Sequence, residues 1–435
     1  MAVAPTAPST ATLVKVTLAA GFGGVVEYFD LFIASLAGAT VWPQIFFGGG
    51  VASNFAFSIA SVGIAFVVRP IGGFVFGHIG DRVGRRDTLF LTLTLLGLSV
   101  FGIGVLPTYA QIGVAAPILL FLFRGVFGLG LGGEYGGGVS YILEFAAKSK
   151  WRSFWSLWAA PVPVGLTLGA GIFTLLSTTM SSNDFLSYGW RSLFLVGAIM
   201  IAVGFAMRYR LEESPLFAVI KARKQVEKSP AMTVLKKRWK EILALASVAA
   251  STQGAIITGI FSPFSLTYLS SKGVSPAYGT AMLSLGNALA IITFVASPYF
   301  SEKMGRRKHL AICVVWAMVT TILFFPLVNT LNLSLIALAY LLPLIETGFC
   351  NASVQAIMGE TFPIKERYSG SGLSYQVGLG FGVGAIVTFF TPPLLAAYGV
   401  QGTAPWLAGV VVGWQIVTLL ALFLLKETKN RDLSE

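Results

Sequence analysis

Six ionisable side chains lie within long apolar stretches of the sequence, where a charge is rare and costly. These residues are Glu27, Asp30, Arg69, Arg124, Glu134 and Glu346. In an apolar medium, carboxylates and guanidinium groups can hold protons, bind anions or pair with one another. Five of the six lie in the N-terminal half, so we expect protons to be handled mainly there.

Glu27 and Asp30 have the most informative spacing. Because they are three positions apart, they share one face of a helix. Two close carboxylates in a low dielectric cannot both ionise easily, so one of them should carry a proton. We predict that Asp30 and Glu27 are proton-coupling residues. A permanent structural ion pair at either position is the alternative.

The two arginines are candidates for binding an anionic substrate. Arg124 stays charged when buried, and it is the expected partner of Asp30. Such a pair separates only when another anion or a proton changes the balance of charge. Arg69 could bind a substrate carboxylate through two parallel hydrogen bonds. It could equally pair with Glu27 or Glu134 as a fixed contact.

Glu134 and Glu346 leave their roles more open. Glu134 lies in a glycine-rich stretch and is either a third proton-coupling residue or a structural charge. Glu346 is the one candidate in the C-terminal half, either a substrate-binding or protonatable group or a satisfied polar residue. Tyr28, Gln253 and Gln376 complete the predicted substrate-binding set, with interhelical hydrogen bonding as their alternative.

The composition requires that these residues lie in a membrane protein. Of 435 residues, 55% are hydrophobic and 11% are charged, whereas soluble domains carry about 25% charged residues. The net charge of +12 comes from short basic clusters between apolar runs. That pattern is typical of membrane loops and not of a nucleic-acid-binding surface. Two cysteines without metal-ligand spacing, and the lack of a nucleotide-binding or catalytic motif, predict no metal, no cofactor and no enzyme.

Twelve stretches are long enough, at about 20 residues each, to cross a bilayer as helices. They are predicted at 14–41, 53–80, 88–106, 114–143, 153–179, 190–209, 241–270, 277–301, 309–328, 333–359, 368–396 and 404–425. Lysine and arginine concentrate in alternate loops and at both termini, which predicts cytoplasmic termini in a multi-pass cell-membrane protein. The polar segment 210–240 is expected to be a cytoplasmic loop with short surface helices, or else to contact lipid headgroups.

An internal repeat divides the chain into 1–209 and 241–435, joined by that loop. The segment 80–86 recurs at 301–307, Glu144 with Arg152 recurs as Glu360 with Arg367, and Glu212 recurs as Glu427. Matched landmarks at nearly one offset predict two pseudo-symmetric six-helix bundles. In transporters built from parallel repeats, the substrate site lies between the halves near the middle of the membrane.

Several motifs together resemble those of the major facilitator superfamily and, within it, the metabolite:proton symporter family. They are found at 77–86, 27–30, 69–73, 132–137 and 360–370. The resemblance spans the whole chain. It implies the major facilitator fold, proton-coupled import of a small organic acid or zwitterion, and an inner gate formed by Asp81, Arg82, Arg85 and Arg86.

Residues and resemblance together predict a monomeric symporter that imports a small mono- or dicarboxylate by alternating access. The proton is its coupling ion, and its partners are the organic acid, protons and the lipid bilayer, without nucleic acid. A carrier of a zwitterion such as proline or betaine is the alternative, followed by a proton antiport exporter. A membrane enzyme or a channel represents a different class of function.

Overall fold

The computed structural model describes residues 8–209, 211–252 and 263–433 of an all-helical chain. The helices of the N-terminal half are α1 Thr10–Thr40, α2 Val51–Arg82, α3 Arg85–Gly104, α4 Ala115–Phe145, α5 Val162–Thr179 and α6 Trp190–Tyr209. Those of the C-terminal half are α7a Trp239–Ala249, α7b Pro263–Ser271, α8 Pro276–Met304, α9 Arg306–Asn329, α10 Leu333–Glu360, α11 Arg367–Phe381 and α12 Val383–Ala421.

Ten spans in the described residues have the length and hydropathy needed to cross a membrane. The other two predicted spans are divided. The span predicted at 241–270 corresponds to α7a and α7b, on either side of residues outside the described part. The span predicted at 368–396 contains α11 and continues, after Gly382, into the first part of α12. Gly399, with a φ of 64°, then interrupts the helical backbone of α12.

The fifth predicted span, 153–179, also differs from one continuous helix. A short helix, Arg152–Ser156, and a 3-10 turn, Leu157–Ala159, precede α5. Pro161 and Pro163 explain the break, because proline removes a backbone donor and clashes with the preceding turn. The backbone carbonyl of Ala160 lies at this break and accepts the backbone N–H of Val162 at 2.8 Å.

The repeat is visible in how the helices pack. Within the N-terminal half α4 packs against α2 and α3, and within the C-terminal half α10 packs against α8 and α9. Between the halves, α2 packs on α11 and α5 on α8. Gly136 allows the backbones of α4 and α11 to meet, since a Cβ there would lie 2.8 Å from the Cα of Gly372.

Gly84 and Gly305 mark the same turn in each half, between α2 and α3 and between α8 and α9. Their φ angles are 151° and 90°, in the region that favours glycine. A Cβ at Gly84 would collide with the Glu213 carboxylate, and one at Gly305 with that of Glu427. Each glycine therefore makes room for an acidic side chain as well as for the turn.

We call the side of the bundle that carries these turns and the segment 211–238 the basic side. Two short helices, Pro215–Ala222 and Pro230–Lys237, lie in that segment and connect the halves. The N-terminal part of α1 lies beside the end of α6 that leads into this segment, where Arg208 donates to the carbonyl of Ala19. The residues after α12 lie on this side as well, since Arg152 donates to the carbonyl of Arg431.

Labelling of single cysteines tests the predicted orientation. We expect cysteines at Ala110 and Gln401 to react with an impermeant thiol reagent in intact cells, and a cysteine at Gln225 to react only after permeabilisation. All three positions are exposed, and the native Cys313 and Cys350 are buried. Labelling at 225 in intact cells would contradict the charge-based orientation.

Candidate functional site

Two ion pairs lie side by side within the N-terminal half. Arg69 Nη1 of α2 is 3.0 Å from Glu27 Oε1 of α1. Arg124 Nη1 of α4 donates a 2.7 Å hydrogen bond to Asp30 Oδ2 of α1. All four side chains are buried. The predicted pairing of Asp30 with Arg124 is therefore present, and Arg69 pairs with Glu27 rather than with Glu134.

Both pairs leave hydrogen-bonding capacity unused within the described residues. The Nε of Arg69, the Nε and Nη2 of Arg124, and Asp30 Oδ1 are buried without a partner. The two guanidinium groups rest on aromatic rings, Arg69 4.9 Å from the ring centre of Phe66 and Arg124 4.8 Å from that of Phe127. Buried donors without acceptors are costly, which makes them suited to an added acceptor such as a carboxylate.

Tyrosines of both halves meet next to these pairs. The hydroxyls of Tyr28 on α1 and Tyr375 on α11 are 2.6 Å apart. The ring of Tyr135 stacks on that of Tyr375 with 3.4 Å between centroids and 6° between planes. Gln376 donates 2.8 Å to the carbonyl of Leu131 on α4. Tyr28 and Gln376 therefore lie at the interface between the halves, and sequence reasoning missed Tyr135.

Further polar side chains of α10 reach the same interface. Asn351 donates a 3.1 Å hydrogen bond to the carbonyl of Ala160, across the boundary between the halves. Gln355 Nε2 donates 3.1 Å to Asn351 Oδ1, while Gln355 Oε1 has no hydrogen-bond partner in the described residues. The predicted Gln253 lies outside the described residues.

Glu134 lies in a hydrogen-bond network that uses both of its carboxylate oxygens. Arg208 donates from Nη1 to Glu134 Oε2 at 3.0 Å and also contacts its Oε1, and Thr92 donates 2.8 Å to the same Oε2. Arg208 further donates to the backbone carbonyls of Ala19, Leu89 and Ala20. This geometry favours the structural alternative for Glu134. Arg208 lies next to the polar segment 210–240, and the sequence does not single it out as a buried charge.

Asp81 connects the two halves on the basic side. Its carboxylate accepts backbone N–H groups of Tyr368 at 3.2 Å and Ser369 at 2.8 Å, in the first turn of α11. It also lies 3.0 Å from Arg85. An acidic group at a helix N-terminus is favourable because of the helix dipole and the unpaired N–H groups there. Asp81 thus ties α2 to α11.

Glu302 makes the corresponding contact from the other half. It accepts the backbone N–H of Ser153 at 3.0 Å and the hydroxyl at 2.7 Å, at the start of the helix that leads into α5. It pairs with Arg306 at 2.8 Å. The basic side is therefore closed by two related contacts, one on each side of the pseudo-symmetry axis.

The two halves also contain equivalent ion pairs next to these contacts. Arg85 lies 3.2 Å from Glu144, and Arg306 lies 3.1 Å from Glu360. Each of these acids also faces a basic residue of the opposite half: Arg367 is 3.5 Å from Glu144 and Arg152 is 3.5 Å from Glu360. The predicted matches of Glu144 with Glu360 and of Arg152 with Arg367 correspond to equivalent contacts.

One predicted match is in the wrong register. The counterpart of Glu427 is Glu213 and not Glu212. Glu213 accepts the backbone N–H of Arg85 at 3.1 Å, and Glu427 accepts that of Arg306 at 3.0 Å. Spacing could not distinguish two consecutive glutamates, whereas the hydrogen bonds do.

These two equivalent carboxyls lie outside the spans and differ in acidity. Burial raises the pKa of Glu213 above its ordinary value. Burial also acts on Glu427, but hydrogen bonds from the backbone N–H groups of Arg306, Lys429, Arg307 and Thr428 outweigh it and lower the pKa of Glu427.

Arg82 and Arg86 take no part in the contacts that close the basic side. Arg82 is exposed, with His78 Nε2 3.4 Å from its Nη1. Arg86 lies 5.8 Å from the ring centre of Phe90, and no ion pair involves either arginine among the described residues. Of the four residues predicted to gate, Asp81 and Arg85 make contacts across the halves. Asp81 accepts the N–H groups of α11, and Arg85 donates a 2.7 Å hydrogen bond to the carbonyl of Ile364.

The contacts of Asp81 and Glu302 that close the basic side predict how neutral substitutions of these two residues affect transport. We expect Asp81→Asn to lower the transport rate about tenfold or more while sparing expression, because it weakens the tie between α2 and α11. Glu302→Gln, at the equivalent position, should act similarly, and both should increase the accessibility of a cysteine placed at Ser369. Wild-type rates and accessibility in both variants would show that the contacts are dispensable.

Comparison with known proteins places this arrangement in a family. A model of the Major Facilitator Superfamily matches residues 20–378. The chain belongs to the major facilitator superfamily. The inner membrane metabolite transport protein YhjE of Escherichia coli (strain K12) is 35% identical over 96% of this chain and 95% of that protein. The chain is accordingly a membrane transporter of this superfamily and not an enzyme.

More distant members of the superfamily have named substrates. The shikimate transporter of Escherichia coli (strain K12) is 28% identical over 94% of this chain and 93% of that protein. The proline/betaine transporter of Salmonella typhimurium is 27% identical over 96% and 84%. The solved proton:xylose symporter XylE shares the fold, with a TM-score of 0.80, 16% identity and coverage of 98% of this chain and 99% of that one.

Proposed function

We propose that this protein is a proton-coupled symporter that imports a small mono- or dicarboxylate by alternating access. The observation that carries the proposal is the set of unused guanidinium N–H groups on Arg69 and Arg124, buried beside tyrosines of both halves. Such donors match a carboxylate in geometry and charge. The cargo would then lie between the halves, near the middle of the membrane.

The proton role is assigned to Asp30, with Glu27 as the second carboxylate. Asp30 holds Arg124 through Oδ2, while its Oδ1 is buried without a partner and can carry a proton. Protonation of Asp30 removes the charge that competes for Arg124, so the arginine becomes available to the substrate. Proton and anion thereby bind together, which is the requirement for symport.

Alternating access requires a gate on each side, and the basic side is closed here by Asp81 and Glu302. In the proposed cycle the loaded carrier releases these contacts, and the substrate leaves on that side. The charge distribution supports cytoplasmic termini, and the likeness to an inner-membrane relative supports that membrane as the location.

A zwitterion is the second candidate cargo. Each ion pair offers a carboxylate beside an arginine, so an ammonium group and a carboxylate could both be bound. The named proline/betaine relative supports this alternative to the same degree as the shikimate relative supports an organic acid. The two cargoes differ in net charge, which a transport assay can resolve.

Purified protein in liposomes tests the proposal directly. We expect one of lactate, shikimate or 2-oxoglutarate to drive proton uptake, reported by a trapped pH dye, and proline and betaine to have no effect. Arg124→Lys keeps the charge but not the planar fork, so it should weaken anion-driven uptake about tenfold or more. Uptake driven by proline or betaine alone would favour the zwitterion carrier, and cargo movement without protons would refute symport.

A further inference from the structure

Glu346 is a buried carboxylate that the proposed site does not use. It lies near the middle of α10, 14 residues from Glu360, which is about 21 Å along the helix at about 1.5 Å per residue. Its side chain is fully buried, and within the described residues no N–H or O–H group donates to either carboxylate oxygen. The thiol of Cys350 is its hydrogen-bonding neighbour.

Glu346 faces away from the interface between the halves. Asn351, which contacts Ala160 of the other half, is five residues further along α10, and Gln355 is nine residues further. At about 100° per residue, these side chains point about 140° and 180° away from Glu346. Glu346 therefore points into the C-terminal bundle towards Cys313 of α9, and Cys350 lies between it and the interface tyrosine Tyr375. The substrate-binding role predicted for Glu346 stays a prediction.

The groups around Glu346 are neutral. Cys313 on α9 and Cys350 on α10 are its titratable neighbours. Thr252, three residues after the end of α7a, and Tyr375 of α11 lie beside Cys350. The described charges of α8 and α9 lie at the basic end: Glu302, Lys303, Arg306, Arg307 and Lys308. His309, also at that end, hydrogen-bonds Ser353. No described cation is placed to balance an ionised Glu346.

We propose that Glu346 is a proton-binding site in the C-terminal half, which carries a second proton through the transport cycle. An isolated ionised carboxylate in this environment would be prohibitively costly, so the closed state requires the neutral acid. Opening of the basic side separates α11 from α2 and admits water towards α10 and α11. The acid can then ionise, so proton release follows the change of state. This inference rests on the proposed symport.

Infrared spectroscopy of the purified protein tests the protonation state without transport. We expect wild-type protein to show a carboxylic-acid C=O stretch at neutral pH that Glu346→Gln removes. Glu346→Asp, as the conservative control, should keep a shifted band. Trapping the basic side open, by combining Asp81→Asn with Glu302→Gln, should reduce the band. A band that is absent, or that persists in the open state, would overturn the proposal.

The number of protons moved with each cargo molecule gives a second test of the role of Glu346. With the membrane potential clamped at zero, loss of one coupled proton should lower the accumulation of cargo about tenfold for each unit of pH gradient. We expect this in Glu346→Gln, with exchange of cargo between the two sides retained. An unchanged ratio of protons to cargo would overturn the role of Glu346. A wild-type protein that moves no protons would instead refute symport, while leaving the infrared result interpretable.

Discussion

Asp30→Asn is expected to lower pH-driven accumulation of the cargo at least about tenfold per unit of pH gradient, while exchange without net transport continues. The substitution is isosteric and fixes the neutral state, so Arg124 stays available to an anion at every pH. Binding is thereby separated from protonation at this site. The measurement compares accumulation and counterflow of labelled cargo in the same proteoliposome preparation.

The controls separate a lost proton from a damaged site. Asp30→Glu retains a titratable group and should recover part of the accumulation. Arg124→Ala should lose both accumulation and counterflow, since the vacated position offers no charge to the carboxylate. If Asp30→Asn concentrates cargo as well as wild type, the coupling proton binds elsewhere, and Glu27 becomes the next carboxylate to test.

The second large effect is on stability. Arg208→Met is expected to destabilise the protein by about 3–5 kcal/mol, because it leaves the buried Glu134 carboxylate without its partner. It also removes donors from three backbone carbonyls of α1 and α3. Thermal unfolding of the purified protein measures the loss, with the exposed Arg82→Ala as a control that should unfold like wild type.

A double substitution tests whether the uncompensated charge of Glu134 causes the loss of stability in Arg208→Met. Adding Glu134→Leu to Arg208→Met removes the uncompensated charge and should recover part of the stability, because the pair costs most when it is half removed. Glu134→Gln alone should leave the ratio of protons to cargo unchanged. A changed ratio of protons to cargo in Glu134→Gln would show that Glu134 takes part in proton coupling. Wild-type stability of Arg208→Met would show that the pair of Arg208 and Glu134 is not a structural contact.

The structure also shows which contacts spacing could anticipate. The three-residue interval of Glu27 and Asp30 placed both on one face of α1, and the pairing of Asp30 with Arg124 is present. Arg69 could not be assigned, because its position allowed pairing with either Glu27 or Glu134, and only the packing of the helices selects Glu27. Arg208 lies next to the basic segment 210–240, so the sequence could not distinguish it from the charges of that loop, although it is buried at the end of α6.

By itself, the sequence determined the membrane class and ten of the twelve predicted spans, because hydrophobic length is a property of the chain alone. Its repeated motifs predicted two related halves. Only the tertiary structure decided which charges meet. The choice of Glu213 over Glu212, the hydrogen-bond partners of Glu134 and the inward direction of Glu346 depend on helix rotation and on contacts between residues far apart in sequence. A single turn of helix changes a side chain's partners, and the hydrophobic pattern of a membrane helix constrains that rotation only weakly.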